Sequence, residues 1–229
     1  MKIEVLADVE AVARRAAEFI AAEARAAVAA RGRFAVAVSG GRTPWAMLRA
    51  LNLLPDVPWK DVQVLQVDER IAPVYHAERN LTHLWASLAM PAEPGRARIY
   101  AMPVESPDLG EAAGRYARTL ANAAGSPPVL DLVHLGLGAD GHTASLVPGD
   151  PVLEVTDADV ALSGSYQGWP RMTLTYPAIN RARRVLWLIT GADKAAMLTR
   201  LQRGDPDIPA GRVRQDHAMV LADRAAAGS

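Results

Sequence analysis

The chain has 229 residues, half of them hydrophobic, with no cysteine and with 25 basic against 25 acidic residues for a formal charge of zero. That length supports one sizeable core, and the charge balance argues against a nucleic-acid partner, which needs a strongly basic face. The missing cysteines exclude disulfides, thiolate nucleophiles and Cys-based zinc sites.

No apolar run approaches the roughly 20 residues that a bilayer span requires. The start, Met1-Lys2-Ile3-Glu4-Val5, has no long apolar core of a secretory signal. The expected location is the cytoplasm, with no membrane partner.

In chain order, residues 9–30 form an alanine-rich helical stretch that Asp8 is placed to cap. A short apolar run at 34–38 reads as a strand. Residues 44–51 read as a helix whose leading proline suits a first turn. After a loop at 53–58 comes a second apolar run, 62–67, and then a helix at 80–88 with Asn80 as its expected cap. A loop at 90–95, a helix at 108–124 and a loop at 125–128 lead to a third run, 130–135. The fourth run, 185–189, precedes a helix at 192–202 and a loop at 204–211.

The four runs are rich in Val, Leu and Ile and only about five or six residues long, as expected of strands buried on both faces. Their alternation with helices predicts an α/β fold: a three-layer α/β/α, Rossmann-like arrangement on a mainly parallel sheet. No loop is long or polar enough to be a linker, so residues 1–229 read as one domain.

Open α/β sheets bind ligands beyond the carboxyl ends of their strands. There the sequence places Ser39-Gly40-Gly41-Arg42-Thr43-Pro44, Asp68-Glu69-Arg70, the segment from Gly136 to Ser145, and Thr190-Gly191-Ala192-Asp193-Lys194. The first is either an ordinary strand-to-helix turn or an anion cradle, in which glycines admit the ligand and helix-start N–H groups donate to it. It is not a Walker loop, since no Gly-Lys-Ser/Thr follows. Gly136-x-Gly138-x-x-Gly141 matches the dinucleotide fingerprint, and Glu154 or Asp157 stands near the expected ribose position, but Pro148-Gly149-Asp150-Pro151 leaves too little room for the helix that fingerprint must open, which disfavours a nicotinamide cofactor.

His142 lies in this polar glycine loop two residues from Asp140, where a neutral imidazole can take a proton from water and a carboxylate can orient it. His134 lies inside an apolar strand and reads as structural; His76, His83 and His217 have no comparable setting. No metal-ligand spacing and no Gly-x-Ser-x-Gly elbow is present. Arg171 and Lys194, each a solvated cation if taken singly, offer a fork and a point charge suited to a phosphate.

Together these motifs resemble the superfamily that joins 6-phosphogluconolactonases with glucosamine-6-phosphate deaminases. The matching stretches are Ser39-Gly40-Gly41-x-Thr43-Pro44, Asp68-Glu69-Arg70, Leu135-Gly136-x-Gly138-x-Asp140-Gly141-His142-Thr143-Ala144-Ser145-Leu146, Pro170-Arg171-x-Thr173-Leu174-Thr175 and Gly191-x-x-Lys194. Deaminases resemble Asp-Glu-Tyr at the second stretch and carry a carboxylate soon after the Asp-Gly-His. Here Arg70 and Ser145-Leu146-Val147-Pro148 stand instead, which points to the lactonase side. Arg42, Glu78-Arg79-Asn80 and Val147 depart from the usual lactonase pattern.

The resemblance implies hydrolysis of 6-phospho-D-glucono-1,5-lactone in the oxidative pentose phosphate pathway. It implies His142 as base, Asp140 as its orienter, and Arg70 as substrate clamp or oxyanion partner. Asp68 would hold Arg70 or contact the sugar. Ser39, Gly40, Gly41, Arg42 and Thr43, with Arg171 and Lys194, would hold the phosphate. No cofactor is implied, because ester hydrolysis moves no hydride. The expected partner is a small sugar-phosphate lactone, and the chain is expected as a monomer or small homo-oligomer. A deaminase or isomerase, and a non-catalytic sugar-phosphate sensor, are the alternatives.

Overall fold

A computed structural model describes residues 1–88 and 97–228. The expected loop at 90–95 lies outside the described residues. Among the described residues the main sheet has seven strands, all parallel: β1 (Lys2–Leu6), β2 (Phe34–Val38), β3 (Val62–Gln66), β5 (Arg98–Tyr100), β6 (Leu132–Gly136), β9 (Val185–Ile189) and β10 (Ala218–Asp223). Their order across the sheet is β1-β10-β9-β6-β2-β3-β5. A second, antiparallel sheet orders β4 (Asp68–Arg70), β8 (Trp169–Leu174) and β7 (Val160–Tyr166).

Both faces of the main sheet are covered, and residue parity within each strand decides which cover it meets. Phe34, Val36 and Val38 of β2, with Leu186 and Leu188 of β9, pack under α1 (Val9–Arg31), α2 (Arg42–Asn52) and α3 (Asn80–Leu88). Ala35 and Ala37, with Val185, Trp187 and Ile189, pack on the other side with α4 (Leu109–Ala124) and the hairpin β7–β8. The short helices α5 (Tyr176–Asn180), α6 (Ala195–Gln202) and α7 (Arg224–Ala227) complete that layer. This double burial is why the strands read as unbroken apolar runs rather than as alternating ones.

Two of the expected strands, at 34–38 and 185–189, have the observed bounds, and Asp8 accepts the Ala11 N–H as the cap of α1. Asp108 likewise caps α4 through the Glu111 N–H. One expected cap is corrected. Asn80 is the first residue of α3, and its amide donates to the Asp68 carbonyl at 3.0 Å. The first N–H groups of α3 are taken by the Glu69 carboxylate instead, at 2.8 Å from both Asn80 and Leu81. Among the described residues no helix is long and apolar enough to cross a membrane.

Candidate functional site

After β6 the chain folds into a tight loop rather than a helix. Gly138 N–H donates to the His142 carbonyl at 2.8 Å, Gly141 N–H to the Gly138 carbonyl, and Thr143 and Leu146 bridge each other. The dinucleotide-like glycines therefore open no helix. They serve a close approach: a Cβ on Gly138 would lie 2.0 Å from His142 Nδ1 and 2.6 Å from Asp140 Oδ1. The His142–Asp140 pair sits directly over that glycine.

His142 Nδ1 stands 2.5 Å from Asp140 Oδ1, and the His142 N–H also donates to this oxygen. An ionised carboxylate only accepts, so Nδ1 carries the proton and Nε2 keeps its lone pair. Burial by itself would raise the Asp140 carboxyl. The hydrogen bonds from the His142 ring and backbone, the His142 charge and the Tyr166 hydroxyl outweigh it, and hold Asp140 below the ordinary carboxylate value.

His142 shares a cleft with Ser39, Gly40, Asp68, Arg70, Asn80, Arg171 and Lys194. The four strand ends singled out above thus meet in space, with residues from both sheets. Asp68 is buried; its Oδ2 accepts from Ser145 Oγ at 2.7 Å and lies 3.9 Å from Arg171 Nη1. Of the two roles expected for Asp68, no contact holds Arg70; its cation partner is Arg171. Arg70 instead donates to the Glu78 carbonyl at 2.5 Å, with the Glu78 carboxylate 3.7 Å away.

The register of the small sheet sets Arg70 directly opposite Arg171. Like charges opposite one another across strands repel. Burial lowers the Arg171 pKa, the Asp68 charge opposes that, and the Arg70 charge adds to it. Two carboxylates offset this pair of cations, Asp68 beside Arg171 and Glu78 beside Arg70, and both guanidinium groups line the cleft, where their N–H groups suit an anion. Lys194 adds a third cation, paired with Asp193 at 3.0 Å.

The Ser39–Thr43 turn divides. Ser39 Oγ is committed to the His134 carbonyl at 3.1 Å, and its N–H donates to His134 Nδ1. Gly40 lines the cleft, and Gly41 precedes α2, whose first turn has no side-chain cap. Arg42 and Thr43 are not brought into the cleft. They line a neighbouring one with Asp193, Thr190 and Asp223, where Thr43 Oγ1 lies 2.9 Å from Thr190 Oγ1. Both already belong to the first turn of α2, whereas Ser39 and Gly40 precede it. His134 is fully buried, and burial pushes its pKa down to about 3, so it stays neutral.

Two residues of the site were not read from the sequence. Asn80 lines the cleft, and its only local signal was helix-start chemistry. Tyr166 donates to Asp140 Oδ2 at 3.1 Å from the end of β7. Its signal would have been the hairpin Tyr166-Gln167-Gly168-Trp169, since both central residues have positive φ, as a type I′ turn requires.

The family model for glucosamine-6-phosphate isomerases/6-phosphogluconolactonase matches residues 7–222. A 6-phosphogluconolactonase of Synechocystis is 35% identical over 197 residues, covering 84% of this chain and 81% of its own. One of Mycobacterium tuberculosis is 35% identical over 238 residues, covering 98% and 96%. The structure of 6-phosphogluconolactonase from Thermotoga maritima superposes with a TM-score of 0.83 at 27% identity, covering 97% of this chain and 98% of that one. A monomeric glucosamine-6-phosphate deaminase superposes with a TM-score of 0.81 at 20% identity, which speaks for a shared fold alone.

Proposed function

Because the chain belongs to the glucosamine-6-phosphate isomerase/6-phosphogluconolactonase family, we propose that it hydrolyses 6-phospho-D-glucono-1,5-lactone to 6-phospho-D-gluconate in the pentose phosphate pathway. The observation that carries the reading is the oriented His142–Asp140 pair standing in one cleft with the opposed cations Arg70 and Arg171. A sugar-phosphate ester needs this combination: a base for water, and positive charge for a phosphate and for a developing oxyanion.

In the proposed reaction His142 Nε2 takes a proton from water as the water oxygen bonds to the lactone carbonyl carbon. Asp140 stabilises the imidazolium that forms. Arg70 stabilises the tetrahedral oxyanion. Collapse re-forms the carbonyl and breaks the bond to the ring oxygen, which leaves as a hydroxyl after taking the proton back from His142. Arg171 and Lys194, with the uncapped start of α2, hold the phosphate. The segment after His142 favours hydrolysis over deamination: Ser145 and Leu146 are buried and no carboxylate follows before Asp150.

The test uses lactone freshly generated from glucose 6-phosphate by its dehydrogenase, comparing lactone loss with the spontaneous rate. Acceleration by the wild-type chain, reduced by about 10²-fold or more in His142→Ala with the fold retained, is expected of a general base. A folded wild-type chain that binds 6-phosphogluconate yet leaves the spontaneous rate unchanged would overturn the enzymatic reading and favour a sensor. Release of ammonia from glucosamine 6-phosphate would favour the deaminase.

A further inference from the structure

Tyr166 ends β7, and the two-residue turn Gln167–Gly168 sets it opposite Trp169 of β8. Three residues converge on it. Its hydroxyl donates to Asp140 Oδ2 at 3.1 Å and lies 3.3 Å from His142 Nδ1. Its ring meets the His142 ring edge to face, with centroids 4.9 Å apart and planes at 62°. The Arg171 guanidinium lies over the same ring, 5.2 Å from its centroid, and Arg171 Nη2 donates to the Tyr166 carbonyl at 3.0 Å.

A carboxylate has two oxygens and pivots about one bond. His142 holds Oδ1 of Asp140 by two hydrogen bonds, and Tyr166 holds Oδ2. With both ends occupied the carboxylate plane is fixed, and the imidazole it grips is fixed with it. The Tyr166 ring closes one side of His142 against rotation. The same residue carries Arg171, so the base and one of the cleft's cations share a mechanical support.

We infer that Tyr166 is a positioning residue, locking the Asp140–His142 pair in its proton-accepting arrangement and coupling it to Arg171. The inference rests on the hydrolytic reading above for its kinetic consequences, but not for its geometry. The charged and titratable groups facing Tyr166 are Asp140 and His142 from the loop after β6, and Arg171 from β8, itself backed by Asp68. A hydroxyl donated to Asp140 draws off part of the charge that would otherwise stabilise a His142 imidazolium. Removing that hydroxyl leaves the imidazolium better stabilised, so the acid limb of the rate profile moves to higher pH.

The test is Tyr166→Phe in the full chain, which keeps the ring on His142 and Arg171 and deletes only the hydroxyl. Expected are a kcat lower by about tenfold, a KM within about twofold, and an acid limb of kcat/KM displaced upward. Tyr166→Leu, which also removes the ring under Arg171, is expected to raise KM as well. A merely structural tyrosine would change melting temperature without moving the pH profile. Unchanged kcat and profile in Tyr166→Phe overturn the inference while leaving the hydrolytic reading intact. Should the wild type not accelerate hydrolysis, that reading fails instead, and nitrogen-15 spectra of the His142 ring decide. A tautomer bias toward protonated Nδ1 that weakens in Tyr166→Phe supports the positioning role, and identical spectra refute it.

Discussion

Gly138 and Lys194 show what single residues contribute to this cleft. A Cβ on Gly138 would overlap His142 Nδ1 and Asp140 Oδ1 at distances no real contact allows. Gly138→Ala is therefore expected to keep the fold, since the obstructing groups are side chains, and to push the pair off its geometry. Misplacement by about an ångström costs on the order of 10²-fold in rate; kcat beside a thermal melt checks this, and an unaffected kcat would remove the pair from the chemistry. Lys194 lines the cleft on the phosphate side of the proposal. Lys194→Ala is expected to raise KM about tenfold, the worth of one charge-assisted hydrogen bond, with kcat little changed. If kcat falls and KM does not, Lys194 acts on the transition state. Residues of this kind were legible because glycine, histidine and lysine announce themselves at strand ends. Tyr166 did not, because a tyrosine in an exposed-looking hairpin carries no sign of the partner across the cleft.

At the scale of elements, the link between β4 and α3 is a buried carboxylate. Glu69 is fully buried and accepts from the N–H groups of Arg70, Asn80 and Leu81 and from Gln66 Nε2, all at 2.8 Å. It sits at the start of α3, where the helix dipole favours a negative charge. Arg79, also buried, lies 3.2 Å from Glu69 and continues to Glu105 at 2.7 Å and to the Ala72 carbonyl. This network fixes Asp68 and Arg70 on one side and Asn80 on the other. Breaking a buried ion pair costs about 3 to 5 kcal/mol, whereas an exposed one is worth about 1 kcal/mol or less. Arg79→Ala is expected to fall in the first range by urea unfolding, and Glu105→Ala, whose carboxylate is 41% exposed, in the second. Equal losses would mean that the Glu69–Arg79 contact is not the one that matters. The sequence marked Glu78-Arg79-Asn80 as a departure from the lactonase pattern but could not give its purpose, since Glu69 and Glu105 are remote from Arg79 along the chain.

For the molecule as a whole, the sealed interior makes stability depend on pH through His134. Its folded pKa is about 3, while an unfolded histidine titrates near ~6.5. Below about 6.5 the unfolded chain binds a proton that the native chain refuses, so the stabilisation is complete above that pH and is lost as pH falls toward 3. Asp140, also depressed, loses its contribution in the same direction but only below the ordinary carboxylate value near ~3.9. Between about pH 6 and 4.5 the unfolding free energy should fall by up to ~1.4 kcal/mol per pH unit. His134→Asn, which keeps an acceptor for the Ser39 N–H, should flatten that slope; a flat wild-type profile would mean that His134 is not held neutral. By itself the sequence determined the α/β class, the four central strands and the loops at their carboxyl ends, because strands buried on both faces must be continuously apolar and helix caps are local. It missed β1, whose edge position leaves Lys2, Ile3 and Val5 exposed, the three-residue edge strand β5, and β10, and it missed the three-stranded sheet, in which β4 is short and pairs with β8 across about a hundred residues. Only the tertiary structure decided that Arg70 faces Arg171, that Arg42 and Thr43 turn to a neighbouring cleft, and that Tyr166 reaches Asp140. Register and side-chain direction depend on partners distant in sequence, and no local pattern encodes them.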